Sequence, residues 1–180
     1  MKRIVLTLGA LAISTSVFAQ TPADLETALT PAPANMKDGA TVIKWKPDYT
    51  YDTVRKGTNN MVCFDRSGQP GQQPFAAECT SLANLPRVAQ NLKFEAEPDR
   101  AKRTAALTAA EKDGSRIKPE YGSVWYHVMG MNKDNIRRHT TIAVPGATTQ
   151  STGLPDNGKQ GGVWIMDAGT STAHLMIPGF

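Results

Sequence analysis

The sequence predicts an α+β fold: a single domain with a mostly antiparallel sheet, one or two helices on one face, and one disulfide. Three observations carry this. Short β-branched and aromatic runs occupy both ends of the chain, whereas Leu82 to Asp113 shows helical spacing and helix punctuation. Strands first, helices in the middle and strands last is the order of an α+β domain. The only two cysteines, Cys63 and Cys79, flank a stretch rich in Gly, Pro and Gln, which reads as a disulfide-closed loop growing out of a sheet.

Residues 1–19 read as a signal peptide. Lys2 and Arg3 precede the apolar run Ile4 to Ile13, and Val17-Phe18-Ala19 suits a cleavage site before Gln20. The run is shorter than the roughly 20 residues that span a bilayer. An exported protein, periplasmic or secreted, is expected. Cleavage near Ala19-Gln20 removes two cations and lowers the formal net charge from +4 to +2. The remaining Lys and Arg, as at Arg100 to Arg103 and Arg137-Arg138, are not interleaved with stacking aromatics, so no nucleic-acid partner is expected. A protein that is not membrane-embedded is expected too. The terminal Phe180 suggests an outer-membrane barrel strand, but Pro178-Gly179 interrupts it and the helical centre leaves too few alternating segments.

Residues 20–39 are expected to be a flexible N-terminal segment, with a short helix from Pro22 and an extended linker at Pro31 to Asn35. Residues 40–180 form the domain. Thr41 to Trp45, Tyr49 to Arg55 and Met61 to Asp65 are strand candidates around a turn at Gly57 to Asn60. Export places the cysteines in an oxidising compartment, so Cys63 and Cys79 are expected to pair. Leu82, Leu85, Val88, Ala89 and Leu92 recur at helical spacing, and Asp99 to Asp113 forms a second helix ended by Gly114. Its stripe is mostly alanine, which predicts shallow packing. Val124 to Met129, Thr140 to Val144, Val163 to Met166 and His174 to Ile177 supply the last strands, with a polar loop over Thr148 to Gly162.

The segments V-R-K-G-T-N-N-M-V-C-F-D (54–65), H-T-T-I-A-V-P-G (139–146) and W-I-M-D-A-G-T-S-T-A-H-L-M-I-P (164–178) resemble a family of small exported bacterial proteins. That family shows a G-T-N-x-x-x-C segment, a second cysteine nearby and a G-T-x-x-A-H-x-M-x-P tail. The resemblance marks Gly57, Thr58, Asn59, Cys63, Cys79, His139, Gly169, Thr170, His174, Met176 and Pro178 as pattern positions. It implies no catalytic residue, because the family has no established activity. Glu95 to Glu120 departs from the pattern and reads as an insertion.

Chemistry concentrates on the three histidines, His127, His139 and His174, all at predicted strands. His139 and His174 each open a similar strand ending in Pro-Gly, so pairing of those strands is expected to bring the imidazoles together. His127 with Met129, and His174 with Met176, share a strand face, and imidazole plus thioether suits copper. A copper or zinc site on His127, Met129, His139, His174 and Met176 is therefore one reading; no cofactor is the default expectation. A hydrolase using Ser123, Thr170 or Ser171, His139 or His174 as base and Asp167 as orienter is another, though no G-x-S-x-G or S-x-x-K arrangement supports it. The expectation placed first is a non-enzymatic envelope module for a small ligand or an envelope protein, with Trp45, Trp125, Trp164, Tyr49, Tyr51 and Tyr126 as groove candidates.

Overall fold

The structure, a computed structural model, describes residues 22–178. The expected signal peptide, its cleavage point at Ala19-Gln20 and the terminal Phe180 lie outside the described residues.

Strands β1 (Thr41–Trp45), β2 (Tyr51–Arg55), β3 (Met61–Asp65), β4 (Phe75–Ser81), β5 (Val124–Asn132), β6 (Asn135–Ala143), β7 (Trp164–Met166) and β8 (His174–Ile177) build one sheet. Their order is β2-β1-β3-β4-β5-β6-β8-β7. Every neighbouring pair is antiparallel except β1 and β3. Among the described residues five α-helices accompany the sheet: α1 (Pro22–Ala28), α2 (Ala34–Lys37), α3 (Leu85–Glu95), α4 (Arg100–Asp113) and α5 (Thr149–Thr152). The architecture is thus a single α+β domain with one disulfide.

Alternation along the strands sorts the side chains into two faces. Val42, Met61, Cys63 and Cys79 pack with Ala28, Leu29 and Ala32 on one side. Ile43, Val62, Phe64 and Trp125 pack with Leu85, Val88 and Leu92 of α3 on the other. These are the disulfide face and the histidine face. Helix α4 is held by an Asp99 side chain accepting from Ala101 N and Lys102 N, and it stops at left-handed Gly114. It packs against α3 and buries only Ala110, the shallow contact its alanines predict. The Glu95 to Glu120 stretch therefore backs α3.

Two expectations are corrected here. Residues 20–39, expected to be flexible, are anchored from α1 onward: Ala28 and Leu29 are buried against β3 and β4, and Arg138 donates to Thr30 O at 3.0 Å. Small apolar residues bury little area each, but here they cover the disulfide, which the sheet otherwise leaves bare. The Cys63–Cys79 interval is not a loop throughout, because its last part is β4, a central strand. Ala76, Ala77 and Glu78 have poor strand propensity, and pairing on both edges overrides it. Cys63 and Cys79 stand directly opposite, with Cα atoms 4.1 Å apart, so the disulfide ties two neighbouring strands.

The G-T-N pattern has a structural origin. β2 ends beside the start of β1, and β3 must begin on the other side of β1, so residues 56–60 cross over that end. Thr58 N and Asn59 N both donate to Gly39 O, Gly57 N donates to Thr41 Oγ1, and Asn59 Nδ2 donates to Met36 O. A Cβ on Gly57 would lie 2.2 Å from Gly39 O and 2.4 Å from Thr41 N, both backbone atoms. Gly57→Ala is expected to cost about 1–3 kcal/mol, the usual penalty of overpacking. Chemical denaturation checks it; wild-type stability in the variant would show that the crossing is loose.

Candidate functional site

One row of side chains crosses four strands of the histidine face. Phe64 is opposite Glu78, Glu78 opposite His127, and His127 opposite His139; directly opposed residues share a face. Two steps along β5 in either direction add Trp125 and Met129. From β8, Met176 stands opposite Thr141 and His174 opposite Ala143. Above the sheet, Arg87, Asn91 and Glu95 recur at i, i+4 spacing and form one ridge of α3. Between ridge and sheet lies a cavity of about 350 Å³, lined by this ridge, all three histidines, Trp125 and Met129.

The facing pair is His127 and His139, with ring centroids 5.8 Å apart, and His127 also stacks on Trp125 at 6.4 Å. The expected partnership of His139 with His174 takes a different form. Their strands do pair, but antiparallel, so two segments that each begin with histidine put the imidazoles at opposite ends of the ladder. The two residues share the cavity without being neighbours. Met176 is on the correct face but does not line the cavity. His174 Nδ1 lies 2.8 Å from Thr172 O. A carbonyl only accepts, so Nδ1 carries the hydrogen and Nε2 is the nitrogen left for other chemistry.

Glu78 and His127 of this row also belong to an ion cluster centred on the buried Arg66. Arg66 Nη1 donates to Glu78 Oε2 at 3.1 Å, Arg66 Nη2 pairs with Glu95, and His127 Nδ1 is 3.6 Å from Glu78 Oε2. Burial pushes the Glu78 carboxyl up, but His127 and Arg66 outweigh it and hold the group below its ordinary value of 4.5. For Glu95, burial wins over Arg66 and the carboxyl is raised. His139 is lowered from 6.5 by burial, with the charges of His127 and His174 acting the same way. It is therefore neutral at pH 7 and offers a lone pair.

Arg87 is different. It is 3 % exposed, and its guanidinium donates to Ile117 O and to Thr172 Oγ1 at 2.8 Å. Among the described residues it makes no salt bridge. Burial lowers it to about 10, which still leaves it charged at neutral pH.

No family model, curated protein or solved structure matches the chain. The resemblance to exported proteins without an established activity therefore brings no activity with it, and the site has to be interpreted from its own residues.

The other predicted positions disperse. Ser123 Oγ donates to Glu120 O, Ser171 Oγ to Glu111, and Thr170 Oγ1 to Asp167 O, so none of the three hydroxyls is bonded to a histidine. Gly169, at φ 83°, and Thr170 form the turn between β7 and β8; Gly169 N donates to Ala147 O and Gly146 N to Thr170 O. Pro178 is exposed at the end of β8. Among the six aromatic groove candidates, Trp45, Tyr49 and Tyr51 share a surface groove with Leu82 and Pro86, while Trp125 lines the cavity and Tyr126 packs on the disulfide face. Among the described residues no group of three or more His, Cys, Asp or Glu is placed to hold a metal ion. No described helix is long and apolar enough to cross a membrane. Arg66, Glu78, Arg87 and Glu95 were not foreseen as site residues. One sequence signal was present: Glu78 directly precedes Cys79, so a strand there places its carboxylate on the face opposite the disulfide.

Proposed function

We propose that this protein is an exported, non-enzymatic module of the cell envelope that binds a small molecule in the three-histidine cavity. The observation that carries the reading is the convergence of His127, His139 and His174, from three strands, beside Trp125 and beneath α3. A volume of about 350 Å³ falls at the small end of the range of roughly 300–1,000 Å³ typical of ligand sites, which favours a metabolite-sized ligand over a polymer. An apolar ring, a thioether and a few convergent polar groups are the usual make-up of such a site. Binding is preferred to hydrolysis because the candidate nucleophiles Ser123, Thr170 and Ser171 are engaged elsewhere.

A thermal-shift screen of small metabolites on tag-free protein tests this, with His139→Ala as control. His139 makes no side-chain hydrogen bond to a described residue, so its removal spares the fold. A true ligand at about 100 times its Kd contributes about 2.7 kcal/mol and raises Tm by about 5–10 °C for a domain of this size. Equal shifts in the variant, or none in the wild type, defeat the reading.

A second reading is Cu(I) held by His127, His139 and Met129. Two imidazoles facing each other at 5.8 Å, with a thioether two residues along the same strand face, favour it. Titration of the protein with Cu(I) and Zn(II) decides it; binding weaker than micromolar for both removes the metal.

A further inference from the structure

We infer that the Arg87 end of the cavity is an oxyanion subsite, taking the carboxylate or phosphate group of the small ligand; the inference rests on the cavity being a binding site. The buried guanidinium groups differ in how their charge is balanced. Three arginines are buried around α3: Arg66, Arg87 and Arg116. Arg66 is satisfied by two carboxylates, Glu78 and Glu95. Arg116 lies over the Phe94 ring at 5.0 Å and donates to the side-chain oxygens of Gln90 and Asn91. Arg87 alone both lines the cavity and has only neutral acceptors.

A charge taken out of water without an opposite charge is costly, and the fold meets that cost only indirectly. Glu111 is the nearest anionic influence, but it bonds Ser171 and reaches Thr172 Oγ1 at 3.4 Å instead of touching Arg87. Its carboxylate is half-buried and is taken up by those Ser171 and Thr172 groups. Asp167 exerts a weaker influence and makes no hydrogen bond or ion pair with the guanidinium. A ligand oxyanion in the cavity would supply the missing counter-charge through the fork geometry that guanidinium offers to carboxylate and phosphate. His174 stands beside the same hydroxyl-bearing residue. Its Nδ1–H is committed to Thr172 O, so Nε2 is the ring nitrogen left at this end. Trp125 and Met129 then face the uncharged part of the ligand.

The test is a titration of tag-free protein with benzoate, benzamide and inorganic phosphate, read from the imidazole NMR signals. The chain has three histidines and all line the cavity, so every imidazole signal reports on it. Benzoate is expected to bind about tenfold or more tightly than its neutral isostere benzamide, since a charged hydrogen bond is what distinguishes them. In Arg87→Lys, which keeps the charge and loses the fork, the preference should fall severalfold. Phosphate binding without benzoate binding also supports the subsite and assigns it to phosphorylated ligands. Benzamide binding as well as benzoate overturns the oxyanion subsite while leaving the cavity reading intact. No shift with any of the three probes at about 10 mM overturns the subsite as well. A folded Arg87→Gln variant with unchanged benzoate affinity overturns the assignment to Arg87.

Discussion

Replacing Glu78 by alanine is expected to lower the unfolding free energy by about 3–5 kcal/mol, because it strands a buried guanidinium. Arg66 is 4 % exposed and Glu78 6 % exposed, so neither regains water when its partner is lost. Glu95 remains, but burial raises its carboxyl and weakens it as a sole counter-ion. The double variant Arg66→Met/Glu78→Leu should lose less than Glu78→Ala alone, since it removes both charges together. Urea unfolding of the three proteins checks both statements; a double variant worse than the single one would refute the charge argument. Glu78 also sets the acid limit, together with His139. His139 and Glu78 are both held below their ordinary values, so the unfolded chain binds those protons first as pH falls. Stability should begin to decline below about pH 6.5 through His139 and decline more steeply below about 4.5 through Glu78. The raised carboxyl of Glu95 acts in the opposite sense above about pH 4.5, where the folded chain binds its proton first, and so offsets part of the upper limb. In His139→Gln the upper limb should flatten.

Loss of the disulfide is the second large effect. Cys63→Ala/Cys79→Ala is expected to cost about 3 kcal/mol for a loop of this length, lowering Tm by about 6–12 °C in a domain of this size. Both cysteines are fully buried beneath α1, with Cys79 Sγ 3.7 Å from Ala28 O. Reduction of the folded protein should therefore be slow and should accelerate with denaturant, because a reductant reaches the bond only when α1 lifts from the sheet. Mass spectrometry of alkylated samples measures this directly. Fast reduction without denaturant would show that α1 does not cover the bond.

Much of the fold was legible because it depends on local pattern. β1 begins and ends where its β-branched and aromatic residues do, β3 is built around Val62 and Phe64, and α4 starts at a capping aspartate and stops at a glycine. β4 was missed because alanine and glutamate carry no strand signal; its two neighbours make it a strand. The start of β6 was missed for a similar reason: Arg137 and Arg138 look like a solvated charge cluster, yet both pair with β5. The anchoring of α1 was hidden because alanine contributes little area by itself and counts only once a disulfide lies beneath it.

The site divides along the same line. By itself the sequence determined which chemistry was available: three imidazoles, their thioether neighbours on one strand face, and a cysteine pair. Only the tertiary structure decided that His127 faces His139 while His174 stands at the far end of its ladder, and that Glu78 and Arg87 belong to the same cavity. The physical reason is that side-chain alternation is a property of one strand, whereas register and the placement of α3 over the sheet are set by contacts between residues far apart in the chain.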